Sequence, residues 1–286
     1  MLSVIIPTYN RAQALPLALD SLVRQTLPQS EFEVLVIDDG SSDATREVVA
    51  RYQSLLPITY HHIKHRGVSV ARNVGIERSR GEVIVFFDDD AVAIDEWLDR
   101  IKTIMSVENI ITGRVYPLTR NIWRLFAPHY DQGNSAHQSP VLLEGNCAIA
   151  RAVFQEFGMF NEGLDYGHEG PEFIARIKSK YDVMYYPEIV IYHDYAKSLL
   201  HYLGKQKKFG DKMVFLKQDE LSSLWNLLKN YHRYRQGDVD SGLSQYYVKL
   251  QKTFTEKILV ALIARLGTVW HLWGVVQSWR KIKNNN

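Results

Sequence analysis

Short apolar runs alternate with segments of helical periodicity from the start of the chain, and this alternation narrows the possible folds more than any other feature. Ser3-Val4-Ile5-Ile6 reads as a buried strand, and Leu15, Ala18, Leu19, Leu22 and Val23 follow at helical spacing. Phe32 to Ile37 is a second strand, with Ser41, Ser42 and Asp43 offering N-caps for a helix to about Ser54. Ile58 to His62 is a third strand, followed by a helix over 68–78 and a fourth apolar run, Glu82 to Phe87. Strands separated by helices with short connections imply βαβ units and a mostly parallel sheet. Beyond this region, 117–142 is rich in Pro, Asn, Gln and His and reads as a long, mobile loop of the kind that carries function. Val183 to Tyr186 and Ile189 to Tyr192 read as two strands around Pro187. The pattern turns helical from Lys197, with a break at Gln236-Gly237-Asp238.

The fourth apolar run ends in Asp88-Asp89-Asp90. Carboxylates at the C-terminal end of a parallel strand face the crevice where α/β sheets bind ligands. Three adjacent acids repel one another unless a cation gathers them, and a hard divalent ion on carboxylate oxygens suits that role. Such an ion can grip a diphosphate.

Four further segments accompany the triplet: Pro7-Thr8-Tyr9-Asn10-Arg11, Asp38-Asp39-Gly40-Ser41-Ser42-Asp43, Ala71-Arg72-Asn73-Val74-Gly75 and Gly145-Asn146-Cys147-Ala148-Ile149-Ala150-Arg151. In this order and spacing, residues 2 to about 196 resemble the family-2 glycosyltransferases of the GT-A fold. The resemblance implies a Rossmann-like nucleotide-binding α/β fold with a mostly parallel central sheet. It implies a catalytic domain over 1–196, with a nucleotide-sugar donor half (1–90) and an acceptor half (91–196), followed by a helical extension over 197–286. The expected activity is inverting transfer of a sugar from a nucleoside-diphosphate sugar, a UDP-sugar first, to an acceptor hydroxyl, with Mn²⁺ or Mg²⁺ as cofactor.

Residue by residue, the resemblance places Pro7, Thr8, Tyr9 and Arg11 at the donor, Asp39 on a base N–H, and Arg72 between base and diphosphate. Asp88 and Asp90 match the outer positions of the DxD motif: Asp88 approaches the donor ribose or sugar, and Asp90 binds the metal. Asp89 joins the donor set, His193 is the second candidate metal ligand, and Asn146 and Trp123 fall on the acceptor side. Inversion needs a base for the acceptor proton. The matching stretch is His168-Glu169-Gly170-Pro171-Glu172, with Gly170 where relatives carry an Asp. Glu169 is the first candidate base, Glu172 the second and Asp165 the third. Gly170 also keeps open a non-catalytic sugar-nucleotide or membrane-binding relative. A nucleotidyltransferase fits less well, because Pro7-Thr8-Tyr9-Asn10-Arg11 is not a Gly- and Arg-rich phosphate loop.

Charge separates the two ends of the chain. Residues 1–196 carry 18 basic and 26 acidic side chains, and 197–286 carry 16 and 6, within a net charge of +2. Lys205, Lys207, Lys208 and Lys212 cluster with Tyr202 and Phe209. The apolar segment from Ile258 to Trp279 carries Trp270 and Trp273, then Arg280, Lys281 and Lys283. Its uninterrupted apolar run is too short to span a bilayer, and tryptophans with basic neighbours suit the membrane interface. The alternative is packing on the catalytic domain or a second subunit. Dispersed basic residues without a recognised motif argue against nucleic acid. A single cysteine, Cys147, excludes an intramolecular disulfide and fits a reducing compartment. With no signal-peptide pattern at its start, the chain is expected in the cytoplasm, peripheral on the inner face of the cell membrane. Its acceptor is expected to be a lipid-linked or cell-envelope glycan, and the second-subunit alternative leaves a homo-oligomer open.

Overall fold

A computed structural model of the chain describes residues 1–119, 121–164, 168–216 and 254–285. Among them are nine strands: β1 (Leu2–Thr8), β2 (Phe32–Asp38), β3 (Ile58–His62), β4 (Val83–Phe87), β5 (Val92–Ala93), β6 (Ile110–Tyr116), β7 (His137–Gln138), β8 (Asn146–Ala150) and β9 (Met184–Tyr192). The helices are α1 (Leu15–Val23), α2 (Thr45–Ala50), α3 (Val68–Arg78), α4 (Trp97–Ile104), α5 (Arg151–Phe157), α6 (Glu169–Ile177), α7 (Leu199–Leu216) and α8 (Phe254–Asn285). Two compact units divide the chain. One takes Met1–Leu118, Tyr130–Asp165 and Glu169–His193; the other takes Thr119–His129, Tyr166–His168 and Asp194–Asn286. The expected boundary near residue 196 therefore shifts to 193, and 119–129 goes with the C-terminal unit.

All the strands lie in the first unit, in one sheet of order β3-β2-β1-β4-β8-β6-β9-β5, with β7 added on β9. The first four are mutually parallel, and β8 runs antiparallel between β4 and β6. Alternate residues of the central strands enter two separate cores. Val4, Ile6, Val34, Val36, Val85 and Phe87 pack under α1, α2 and α4. Ile5, Leu35, Ile37, Ile84 and Phe86 pack under α3, α5 and α6. Burial on both faces explains why these strands read as continuous apolar runs rather than as an alternation.

Two local expectations change. The segments around Pro187 form one strand, not two; β9 continues through the proline with a register shift opposite Gly113/Arg114. The shift absorbs the missing proline N–H. The 117–142 segment holds two 3₁₀ turns, Ile122–Phe126 and Pro128–Tyr130, and the short β7. The expected break at 236–238 lies outside the described residues.

The second unit is built on α7 and α8. Trp123, Leu125, Phe126, Ala196, Tyr202, Leu203 and Ile263 form its apolar centre. Gly210 lies against the backbone of His271, and Gly267 against the ring of Tyr202, so the two helices approach closely. Lys207 Nζ sits 5.4 Å from the Trp273 ring centroid. No described helix is long and apolar enough to cross a membrane. Leu259, Leu262, Leu266, Val269 and Trp273 are exposed and recur at three- and four-residue spacing along α8.

Asn146 ties the sheet together. Its carboxamide accepts from Trp97 Nε1 at 2.9 Å and donates to the carbonyls of Arg114 and Ile189 at 3.0 and 3.1 Å, in a fully buried position. Asn146→Ala is expected to strand these partners and lower stability by about 3 kcal/mol, since each orphaned buried group costs roughly 1–3 kcal/mol. Urea unfolding measures the change; a loss below about 1 kcal/mol contradicts the role.

Candidate active site

Because β1, β2 and β4 run parallel and in register, their C-terminal residues share one edge of the sheet. Thr8 lies opposite Asp38, and the Asp triplet follows Phe87. The loops after β1 and β2 are clasped together: the Asn10 N–H donates to Ser41 Oγ at 2.7 Å, the Ser42 N–H to Asn10 Oδ1 at 2.9 Å, and the Ala12 N–H to Asp43 Oδ2 at 3.0 Å. Asp38 is buried and accepts from the Ser41 N–H at 2.7 Å and from the Tyr60 hydroxyl.

Asp39 anchors the loop between β3 and α3. Its two oxygens accept from the N–H groups of Arg66 and Gly67 at 2.8 and 2.9 Å, and His65 Nδ1 lies 2.8 Å from Oδ2. Tyr9 stacks on His65 with ring centroids 4.2 Å apart and is 44% exposed. The expected base contact of Asp39 is thus preceded by a loop-ordering role, and an aromatic face lies open beside it. His65 was not among the sequence candidates, because nothing local in the sequence links it to Tyr9 or Asp39.

The triplet separates into three environments. Asp88 packs against Gly145, where a Cβ would collide with its carboxylate. Asp89 is buried, accepts from Thr8 Oγ1 at 2.7 Å, and has its carboxyl pushed up to about 7 chiefly by that burial. Pro7 and Thr8 complete β1 beneath it. Asp90 Oδ1 is 3.1 Å from His193 Nε2, and its Oδ2 is 3.3 Å from Arg11 Nη1. Arg11 Nε also lies 3.8 Å from Asp89. The other imidazole nitrogen of His193 is 3.2 Å from the Tyr130 hydroxyl. That partner fixes the ring with Nε2 toward Asp90, as a hydrogen bond to the far nitrogen orients a metal-binding histidine. The described residues hold no group of three or more His, Cys, Asp or Glu able to enclose an ion. A carboxylate and an imidazole side by side fit an open divalent site whose remaining ligands come from a bound phosphate group.

Behind the triplet, Arg72 and Glu169 form a buried ion pair, Nη1 to Oε1 at 2.5 Å, with 6% and 2% of their side chains exposed. Glu169 is the first residue of α6, and its carboxylate is held by the Arg72 guanidinium. Glu172 is bound by Arg176 at 2.7 and 3.1 Å, and Arg176 also donates to the carbonyls of Phe157 and Met159. This pins α6 to the segment after α5. Asp165 lies outside the described residues. A third acid, Glu144, joins Arg72 and Glu169: burial and the Glu169 charge push its carboxyl up, and Arg72 opposes them. Sequence reading passed over Glu144; its signal is an acid directly after Val141-Leu142-Leu143, ahead of Gly145 and Asn146. Asn146 itself is spent on the sheet, and Trp123 stacks on Tyr202 in the second unit, centroids 5.6 Å apart. Neither side chain presents a free acceptor-binding surface within its unit.

Residues 3–155, more than half of the chain, match the glycosyl transferase family 2 model, and the chain belongs to that family. The glycosyltransferase AglE of Haloferax volcanii is 30% identical over 175 residues, 57% of this chain and 56% of that protein. The validoxylamine A glucosyltransferase of Streptomyces hygroscopicus subsp. jinggangensis is 41% identical over 103 residues, 35% of this chain and 24% of that protein. The chain thus spans about half or less of the length of these curated relatives. Two solved structures share the fold, which is GT-A. The mannosyltransferase PcManGT of Pyrobaculum calidifontis, in complex with GDP-Man and Mn²⁺, superposes with TM-score 0.65 at 20% identity, covering 97% of this chain and 86% of that one. S. aureus TarS 1–349 in complex with UDP-GlcNAc gives 0.59 at 16% identity, covering 100% and 92%.

Removing Arg72 leaves two buried acids without their cation. Arg72→Met is expected to cost about 3–5 kcal/mol at pH 8, the usual cost of breaking a buried pair. The loss shrinks toward pH 5, because Glu144, whose carboxyl is pushed up by burial, binds its proton more readily folded than unfolded, so stability falls as pH rises through its folded range. Urea unfolding at the two pH values checks this; a pH-independent loss contradicts it.

Proposed function

We propose that this protein transfers one sugar from a nucleoside-diphosphate sugar, a UDP-sugar first, to an acceptor hydroxyl with inversion. The observation that carries the reading is the Asp90–His193 pair at 3.1 Å, standing on the sheet edge with Thr8 and Arg11. Family membership supplies the reaction class. The neighbours with UDP-GlcNAc and with GDP-Man and Mn²⁺ support a nucleotide-sugar donor and a divalent ion. The open face of Tyr9 receives the base, and Arg11 meets the diphosphate from the side of Asp89 and Asp90. Asp90 and His193 would hold Mn²⁺ or Mg²⁺, which when bound offsets charge on the departing diphosphate. Asp88, half-buried against Gly145, faces the ribose or the sugar. Inversion follows from a single displacement in which an acid takes the acceptor proton.

The donor is tested by calorimetry with UDP-, GDP- and dTDP-sugars, with and without Mn²⁺, followed by hydrolysis of any sugar nucleotide that binds. We expect one nucleotide to bind only with metal and to be hydrolysed slowly. Asp90→Ala is expected to abolish the metal-dependent part; unchanged affinity removes its metal role. Binding without any turnover supports the non-catalytic alternative.

The second unit supports a peripheral membrane location on the inner face, and with it a lipid-linked or cell-envelope acceptor. Leu259, Leu262, Leu266, Val269 and Trp273 line one side of α8, and Arg265 and Arg280 are exposed on the same helix. Leu262→Glu/Val269→Glu is expected to release the protein from anionic liposomes in a sedimentation assay. Retained binding, or a dimer in solution that these changes dissociate, shows that the stripe serves another surface.

A further inference from the structure

Gly170, the second residue of α6, has no side chain, and the space a Cβ would fill there is taken by Glu144 Oε1. Glu144 thus reaches from the loop before β8 into the place that a side chain on α6 would occupy. Its Oε1 is sealed from solvent and has no hydrogen-bond partner, and Arg72 Nε is buried and unpartnered as well. Among the described residues, the two acids of α6 are committed. Glu169 is neutralised by Arg72 at 2.5 Å, and Glu172 by the two-pronged Arg176 contact. Glu144 is also joined to the donor side through the next residue, since Gly145 is the surface on which Asp88 rests.

We propose that Glu144 is the carboxylate that takes the acceptor proton, with Arg72 and Glu169 as its positioning partners. The assignment rests on the transferase reading above. In the step, the acceptor oxygen bonds to the anomeric carbon while the bond from that carbon to the diphosphate oxygen breaks. The electron pair leaves on the nucleoside diphosphate, and the acceptor proton passes to the Glu144 carboxylate. An acid in an enclosed site beside a second acid has a raised proton affinity, which suits a base working near neutral pH. Arg72, held by Glu169, limits that rise so that the carboxylate remains available.

The test moves the acid from one chain position to the other. Glu144→Gln, Glu144→Ala, Gly170→Asp and the double variant Glu144→Ala/Gly170→Asp are assayed for Mn²⁺-dependent binding and hydrolysis of UDP-GlcNAc and GDP-mannose, and for Tm. Glu144→Gln is expected to bind donor within threefold of wild type and to lose about 100- to 10,000-fold in hydrolysis. Gly170→Asp alone is expected to lower Tm by crowding Glu144, and Glu144→Ala in that background to raise it again. The double variant is expected to recover at least roughly tenfold in hydrolysis over Glu144→Ala, the rescue expected if a carboxylate can work from either position. Hydrolysis by Glu144→Gln within about tenfold of wild type overturns the assignment, as do a double variant no faster than Glu144→Ala and strictly additive Tm changes. Wild-type protein that binds none of the UDP-, GDP- and dTDP-sugars of the calorimetric panel removes the transferase reading and this assignment with it. Bound donor with full turnover in Glu144→Gln removes this assignment alone.

Discussion

Parallel pairing of β2, β1 and β4 brings their C-terminal residues to one edge of the sheet, and the rest of the site depends on that alignment. Side chains 81 positions apart, Thr8 and Asp89, meet at 2.7 Å because their strands end together. The same alignment brings Asp39 to the loop that begins α3, and the Asp triplet to His193 at the end of β9. None of these contacts needs a long ordered loop. Thr8, Asp39 and the triplet leave strands buried on both faces, so their positions are set by the core rather than by their own flexibility.

Concentrating acids on one edge is costly, and the three members of the triplet meet that cost differently. Asp89 is held by Thr8 and burial favours its neutral form. Asp88 lies in a recess made by a residue without a side chain. Asp90 is left facing an imidazole and a guanidinium. Three adjacent residues of the same type thus stand in three different environments. The environment of each carboxylate, more than its identity, decides whether it serves as a ligand or as a support.

This division also explains what could be read from the sequence. The strands β1, β2 and β4 were legible because burial on both faces leaves short continuous apolar runs between turn residues, and α1 because its buried residues recur at helical spacing. Thr8, Asp39 and the triplet could be set on one sheet edge because each ends or follows a strand, whereas Arg72 lies within α3 and its buried pairing with Glu169, 97 positions away, left no trace in the sequence. The continuity of β9 through Pro187 was not legible, since residues 187–189 are accommodated as a register shift against β6, a strand about 70 positions earlier, opposite Gly113 and Arg114. Asn146 looked like a binding residue because it is polar and sits in a motif; its bonds to Trp97, Arg114 and Ile189 join segments up to 49 residues away. Trp123 was similarly ambiguous, because an aromatic ring that covers a sugar and one that fills a core have the same composition. The partner that resolves it, Tyr202, is remote in sequence.

Glycine 170 shows the same limit from the opposite side. Read along the chain, it is a gap in an acidic stretch and argues for lost chemistry. Read in space, it is a recess, and the carboxylate inside comes from Glu144, 26 positions earlier by residue number. A glycine at a close approach carries information about its neighbour and not about itself. The recess has the acid pair on one side and, through Gly145, Asp88 on the other, so two missing side chains set the spacing between the donor edge and the buried acids. A methyl group at either position would force that spacing to change. The two glycines therefore constrain the geometry of this site as firmly as its charged residues do.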